Sequence, residues 1–239
     1  MVYEKESYVA GSMCDPQLKL SVIAALELIE DSVTELLGGM GIDGVTAMNK
    51  YGAMWVFSKN NMQIMRRPKW LEKLHVRCYI SKHSPLRIFV DTEIGSAAGE
   101  AFVRSRVEIC ALDLETGHIR KPVTLGFTED MEKPEPMPGL DFSRFSKEGT
   151  SPVSSVTVRS TNLDYCSHTN NVEYVRFILD TFTSKELQSR EIASLELHYL
   201  GQSYEGETLD IGRITGEGSD TYFISRGDEA AVACRIGWA

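Results

Sequence analysis

The feature that most constrains the fold of this chain is a repeated order of helical and extended segments. Two stretches carry apolar residues at helical spacing, residues 17–37 and residues 170–187, and they lie about 150 residues apart. One strand-like segment precedes each of them and four follow. A repeat of this length indicates a duplicated domain, because the repeats of solenoid proteins are only about 20–50 residues long.

Segments rich in β-branched and aromatic residues, often alternating with polar ones, predict the strands. After the first helix they cover residues 54–65, 74–81, 86–95 and 101–113, and after the second helix residues 194–203, 208–217, 220–226 and 230–238. A weaker echo of the repeat aligns Glu72 with Glu207, and the apolar positions two and four residues further on also match. This order predicts an α+β fold, a double hotdog in which each of two long helices is wrapped by a curved antiparallel sheet and the two sheets are joined into one. An α+β sandwich with another topology would give a similar pattern.

Prolines and charged residues are concentrated between the two repeats, which predicts a linker on the protein surface. We therefore expect an N-terminal hotdog over residues 1–124, a linker over residues 125–150 and a C-terminal hotdog over residues 151–239.

Charge and composition narrow the classes of function. The formal net charge of −9 argues against a nucleic-acid-binding protein, since phosphate binding usually needs a basic face. The apolar runs are too short to cross a bilayer, so no membrane insertion is expected. The first residues lack the basic and apolar segments of a secretory signal, and the five cysteines have no regular spacing. We expect a protein of the reducing cytoplasm.

One polar stretch, "NLDYCSHTNNVEY" at residues 162–174, lies where a strand should end and the second helix should begin. Such a stretch is either a helix cap or a catalytic site. Taken singly, Asn170 or Thr169 is best interpreted as an N-cap residue, Asp164 as a turn residue and His168 as a hydrogen-bonded histidine. The histidines and cysteines show no metal-ligand spacing, and we predict neither a metal nor a cofactor.

Taken together, these residues resemble a motif of the acyl-ACP thioesterase family of plants and bacteria, whose members are double-hotdog enzymes. "DYCSHTNNVEY" matches that family's D-x-N-x-H-x-N-N-x-x-Y pattern at all positions but one. In the first half, "GAMWVFSKNNMQIMRRPKWLEKLHVR" is similar to the family's tryptophan strand, R-x-P turn and following strand. The resemblance implies that the chain hydrolyses the thioester between a fatty acyl chain and acyl carrier protein (ACP), with the catalytic residues in the second hotdog and the acyl pocket shaped by the first.

The resemblance also implies roles for individual residues. The catalytic positions of the family fall on Asp164, His168, Cys166 and Gln202, and its paired asparagines on Asn170 and Asn171. We predict that Asn170, Asn171 and Ser203 contact the substrate, and that Trp55 and Met54 line the acyl pocket; the alternative for Trp55 and Met54 is a place in the core, which should hold for at least one apolar residue of their strand. Two of these positions depart from the family: Cys166 stands where the family has its catalytic Asn, and Gln202 where it has a catalytic Glu. Ser203 occupies the position of a Cys in the family.

Because of these two departures, the sequence does not identify the general base. A helix that begins near Asn170 directs unpaired N–H groups at the preceding residues, where they would stabilise the oxyanion of a thioester. His168 could activate water or donate to the carbonyl, and Asp164 could orient His168 or hold the water. Gln202 can orient a water molecule but cannot take its proton. A covalent route with Cys166 as nucleophile and His168 as its base is an alternative.

ACP is acidic, so its docking calls for basic residues, and we predict that Arg66, Arg67, Lys69 and Arg176 contribute. Three other functions compete: an acyl-CoA thioesterase, a dehydratase of the hotdog class, and a non-catalytic protein that binds acyl chains or ACP after losing its base. A homodimer is possible, and the sequence does not reveal the preferred acyl-chain length.

Overall fold

The structure, a computed structural model, describes all 239 residues, Met1–Ala239, and divides into two compact units, Met1–Asp141 and Phe142–Ala239. Each unit combines helix with antiparallel sheet, and the predicted fold class, an α+β double hotdog, is confirmed. None of the helices has the length and apolar character needed to cross a membrane.

The first unit contains a five-stranded antiparallel sheet in the order β1-β3-β4-β5-β2, with a short strand β6 added to β5. Its elements are β1 (Tyr3–Tyr8), α1 (Val22–Gly39), α2 (Gly44–Tyr51), β2 (Ala53–Ile64), β3 (Lys73–Ser84), β4 (Arg87–Gly95), β5 (Ala101–Asp113) and β6 (Ile119–Arg120). Strand β5 has the bounds that the sequence predicts, whereas α2 and β6 were not predicted.

Helix α1 begins later than the predicted residue 17. The preceding residues form a loop in which Leu18 has a left-handed φ of 57°, and Ser21 then caps the helix by accepting a hydrogen bond from the Ala24 N–H at 3.0 Å. The apolar face that the periodicity predicts is buried, with Ile29 and Val33 fully inaccessible to solvent. The helix ends at Gly39, and the chain then turns at Gly41, which has a left-handed φ of 71°.

The second unit contains a five-stranded antiparallel sheet in the order β8-β11-β10-β9-β7. Its elements are β7 (Ser151–Thr157), α3 (Asn171–Leu179), α4 (Ser184–Ser189), β8 (Ile192–Tyr199), β9 (Thr208–Thr215), β10 (Ser219–Arg226) and β11 (Glu229–Trp238). Strand β8 ends at Tyr199, before the predicted residue 203, so Gln202 and Ser203 lie in a loop.

The single second helix predicted over residues 170–187 is wrong, because the chain breaks between Leu179 and Ser184. Thr183 starts the new helix through a capping box. Its hydroxyl accepts from the Glu186 N–H at 3.3 Å, and the Glu186 carboxylate accepts from the Thr183 N–H at 2.7 Å. The sequence "TSKE" carries this signal, which the apolar periodicity on both sides of the break obscures.

Residues 125–150, predicted as a linker, are held by hydrogen bonds to each unit. In the first unit the Met137 N–H donates to Asp91 at 2.7 Å, and Arg106 donates to the Met137 carbonyl at 2.9 Å. Asp91 and Arg106 themselves form a buried ion pair. In the second unit the Ser143 N–H and hydroxyl both donate to Glu196 at 2.6 Å. These contacts anchor the segment on both sides of the boundary between the units.

Each unit has the same pattern of hydrogen bonds in the residues just before β3 or β9. The Leu71 N–H donates to the Val9 carbonyl at 2.9 Å, as the Gly206 N–H donates to Val158 at 3.0 Å. The carboxylate Oε2 of Glu72 accepts from the Lys69 N–H at 2.9 Å, and that of Glu207 accepts from Tyr204 at 3.0 Å. The predicted correspondence of Glu72 and Glu207 is therefore confirmed.

Candidate active site

The loop that leads into α3 is organised by the carboxylate of Asp164. Its Oδ1 accepts hydrogen bonds from the N–H groups of Cys166 at 2.8 Å and His168 at 3.1 Å. The Asp164 N–H in turn donates to the His168 carbonyl at 2.8 Å, and Ser167 has a left-handed φ of 63°. Asp164 thus closes a tight Asx-type turn, and this fixes the backbone of His168.

The start of α3 follows directly. Asn170 is its N-cap residue, and the side-chain Oδ1 accepts from the Val172 N–H at 2.8 Å. Asn171 is the first helical residue, and both asparagines are half-buried. Of the two cap candidates, Asn170 is confirmed, because the hydroxyl of Thr169 is directed elsewhere, to Ser203. The positive end of the helix dipole therefore faces the loop that carries His168.

The imidazole of His168 is half-buried against Tyr204. The two rings meet edge to face, with centroids 5.3 Å apart and an interplanar angle of 79°. The hydroxyl of Tyr204 donates to Oε1 of Gln202 at 3.2 Å, and Gln202 is exposed beside a surface pocket of about 310 Å³. Tyr204 thus contacts both His168 and Gln202, two residues that the sequence singles out. No local pattern in the sequence identifies Tyr204, because its contact with His168 depends on the tertiary structure.

Ser203 lies below this surface and is only 1% exposed. Its hydroxyl is within 2.6 Å of the hydroxyl of Tyr174 and 2.9 Å of that of Thr169. The Thr169 N–H also donates to the Ser203 carbonyl at 2.9 Å, and burial raises the pKa of Tyr174. We name Thr169, Tyr174 and Ser203 the hydroxyl triad. It links the loop of Gln202 and Tyr204 to the start of α3. The hydroxyl of Ser203 is directed to Thr169 and Tyr174 and is buried.

The environment of Cys166 opposes formation of a thiolate. The side chain is half-buried, and its desolvation, followed by the negative charge of Asp164, raises the pKa of the thiol. A nucleophilic cysteine normally lies in an electropositive environment that lowers its pKa. This finding argues against the covalent route.

The two residues expected in the acyl pocket are neighbours on β2, so their side chains leave opposite faces of the strand. Trp55 packs on a small core formed by Ala47, Ala53, Ala111 and Leu125, and its indole N–H donates to the Ile42 carbonyl at 2.5 Å. Met54 is half-buried. On this strand, then, the face of Trp55 contributes to the core of the first unit, and Met54 points to the other side.

The four basic residues expected to dock ACP differ in their exposure and in the ion pairs they form within the protein. Arg66 pairs with Glu72 at 2.5 Å and with Glu100 at 2.6 Å. Arg67 pairs with Asp15, and its side chain is only 12% exposed. Arg176 is exposed and pairs with Glu173 at 2.8 Å within α3, while Lys69 is exposed.

Comparison with known proteins places this architecture in a family. The chain matches the model of the acyl-ACP thioesterase N-terminal domain over residues 1–125 and that of the C-terminal domain over residues 145–238. An acyl-(acyl-carrier-protein) hydrolase of Cuphea viscosissima is 24% identical over 202 residues, 78% of this chain and 48% of the relative. A dodecanoyl-(acyl-carrier-protein) hydrolase of Cinnamomum camphora is 21% identical over 219 residues, 83% of this chain and 56% of the relative. The chain spans about half the length of the curated relatives it matches.

Solved structures share the fold. An acyl-ACP thioesterase from Bacteroides thetaiotaomicron superposes with a TM-score of 0.91 at 19% identity, covering 100% of this chain and 98% of that one. The 12:0-ACP thioesterase from Umbellularia californica gives a TM-score of 0.84 at 18% identity, covering 100% and 97%. Because both domain models match, over nearly the full length and in the expected order, the chain belongs to the acyl-ACP thioesterase family.

Proposed function

We propose that the chain hydrolyses the thioester of fatty acyl-ACP and releases a free fatty acid and holo-ACP. The observation that carries this proposal is the placement of His168: its backbone is fixed by Asp164, its ring lies against Tyr204, and α3 begins three residues later. Family membership supplies the class of substrate.

In the proposed mechanism, the thioester carbonyl lies at the start of α3, where the Asn171 N–H and the helix dipole stabilise the oxyanion. The next two N–H groups, of Val172 and Glu173, already donate to Asn170. A ring nitrogen of His168 accepts a proton from water as the oxygen attacks the carbonyl carbon. The C–S bond then breaks, the electron pair leaves on sulfur, and the thiolate takes the proton. We assign the general base to His168, because Gln202 cannot accept the proton and the hydrogen bonds of Asp164 give that carboxylate a role in forming the turn. Gln202, held by Tyr204, orients the water.

The decisive experiment measures free-thiol release from acyl-ACPs with chains of eight to eighteen carbons, using the wild type and His168→Ala. We expect the variant to lose about 10²–10⁴-fold in kcat, the usual contribution of a general base. No release by the wild type at any chain length would overturn the proposal and favour a protein that binds acyl chains or ACP without hydrolysis.

Acyl-CoA is the second candidate substrate, since the same site would serve it, and docking residues distinguish the two carriers. Lys69 and Arg176 are exposed, whereas reversal of Arg66 or Arg67 would strand the carboxylates they pair with. We therefore expect Lys69→Glu to weaken acyl-ACP hydrolysis about tenfold and leave acyl-CoA hydrolysis within twofold, as one attractive charge contact is worth of the order of 1 kcal/mol. The exposed Lys50→Glu, with the same change of charge, is the matched control. Equal losses on both carriers would remove Lys69 from the docking surface.

The reducing cytoplasm is the proposed compartment. All five cysteines are unpaired, which suits a reducing environment. Several plant relatives are named as chloroplast proteins.

A further inference from the structure

The first unit contains a loop with the same backbone hydrogen bonds as the loop of the candidate active site. Oδ1 of Asp15 accepts from the N–H groups of Gln17 at 2.9 Å and Lys19 at 3.1 Å, as Oδ1 of Asp164 accepts from Cys166 and His168. The left-handed position falls on Leu18 in one loop and on Ser167 in the other. Each loop ends in the cap residue of its helix, Ser21 or Asn170.

The bridge from each loop to the next segment is also repeated. The Leu20 N–H donates to the Pro68 carbonyl at 2.8 Å, as the Thr169 N–H donates to Ser203 at 2.9 Å. By these pairings Leu20 corresponds to Thr169 and Pro68 to Ser203. The fourth residue of α1, Ala25, corresponds to Tyr174 at the fourth position of α3.

The two copies therefore have the same backbone but opposite chemistry at three buried positions. The second unit has the hydroxyl triad, and the first unit has Leu20, Pro68 and Ala25, all buried. Apolar side chains at these positions hold the loop, the bridge and the helix start together in the first unit. The fold does not require the hydroxyls, because replacing both partners of a buried hydrogen bond by apolar groups is close to neutral for stability.

The hydrogen bonds of the hydroxyl triad fix the orientation of the Ser203 side chain. Apolar packing is non-directional, whereas contacts of 2.6 Å and 2.9 Å fix the Ser203 side chain relative to α3. Ser203 lies between Gln202 and Tyr204, so its placement sets the position of both neighbours. In the first unit, the position of His168 is taken by Lys19 and that of Gln202 by Arg67, which pairs with Asp15 and Gln17. The triad is thus found only in the copy that has the histidine.

We propose that Thr169, Tyr174 and Ser203 are positioning residues of the active site, which hold Tyr204 and Gln202 in register with His168. Only the catalytic part of this inference rests on the proposed function; the placement of the His168 ring is independent of it. A displacement of about 1 Å in a catalytic group can cost about 10²-fold in rate.

The test replaces the triad by its apolar counterpart in the variant Thr169→Val, Tyr174→Phe, Ser203→Ala. We expect a melting temperature within about 5 °C of the wild type, because no buried hydroxyl is left without a partner. We expect kcat on acyl-ACP to fall about 10–100-fold with KM within about threefold. The single variant Ser203→Ala should lower kcat similarly but melt earlier, since it removes one hydrogen-bond partner from each of the buried Tyr174 and Thr169 hydroxyls and puts no matching apolar group opposite them.

The ring resonances of His168 provide a readout that needs no catalysis, because Tyr204 shifts them through its ring current at 5.3 Å. We expect them to move in the triple variant. Ser105→Ala removes an equally buried hydroxyl contact, 2.6 Å to Asn60 in the first unit, and should leave both kcat and the resonances unchanged.

Unchanged kcat and unchanged resonances in the triple variant would overturn the proposal, as would a loss of kcat in Ser105→Ala equal to that in Ser203→Ala. If the wild type releases no thiol, the proposed function fails, and the resonances alone decide: a shift in the triple variant supports the positioning role, and no shift refutes it.

Discussion

Replacement of Asp164 by Asn and by Ala separates two roles for this carboxylate. In the structure, Oδ1 accepts from the N–H groups of Cys166 and His168, and Asp15 makes the same two bonds in a loop that has no histidine. The repetition indicates that this aspartate is needed to form the turn. Asn retains an acceptor oxygen at the same position but cannot take a proton, whereas Ala loses both functions.

The magnitudes follow from the two hydrogen bonds. Bonds to a charged group are worth about 1.5–3 kcal/mol each, and because Asp164 is only half-buried we discount the pair to about 2–3 kcal/mol for Asp164→Ala. Asp164→Asn should cost about 1 kcal/mol, because both bonds persist in uncharged form. Asp15→Ala should cost more than Asp164→Ala, since it also leaves Arg67 without its carboxylate, and that side chain is only 12% exposed.

Urea unfolding gives the free energies, and thiol release from acyl-ACP gives the rates. If Asp164 acts through the turn, kcat of Asp164→Asn stays within about fivefold of the wild type, while Asp164→Ala loses 10²-fold or more by displacing His168. The reasoning is refuted if Asp164→Asn folds with near wild-type stability but is as inactive as His168→Ala, because the carboxylate would then be the base.

Three further predictions concern neighbouring residues. Cys166→Ser should keep kcat within about threefold, because a raised thiol pKa lowers the thiolate fraction at any given pH below that of an ordinary cysteine; a loss of more than 10²-fold would support the covalent route. Asn170→Ala should cost about 1 kcal/mol in urea unfolding and Asn170→Asp much less, since only Ala removes the cap acceptor; equal losses would contradict the cap assignment. Gln202→Glu should raise kcat on acyl-ACP at neutral pH by about tenfold or more, because a carboxylate there adds a second general base; an unchanged rate would show that position 202 does not contact the attacking water.

The sequence by itself determined the class of the fold and pointed to the candidate site. Apolar spacing identifies α1 and the start of α3, and alternation identifies β5 with its exact bounds at residues 101–113. These features depend on neighbouring residues, and side-chain direction repeats every 3.6 residues in a helix and every two in a strand. The motif from Asp164 to Tyr174 works in the same way, because its turn and cap are bonds between residues two to four apart.

Only the tertiary structure decided which residues complete that site. The ring of Tyr204 lies against that of His168, and the hydroxyls of Ser203 and Tyr174 are hydrogen-bonded. In the corresponding loop of the first unit, Arg67 forms an ion pair with Asp15. These partners are between 29 and 52 residues apart in the chain. No local period relates them, because their contacts are set by strand register and by how each loop packs on its helix. For the same reason, only the tertiary structure pairs the three hydroxyls of the second unit with the three apolar side chains at the equivalent buried positions of the first.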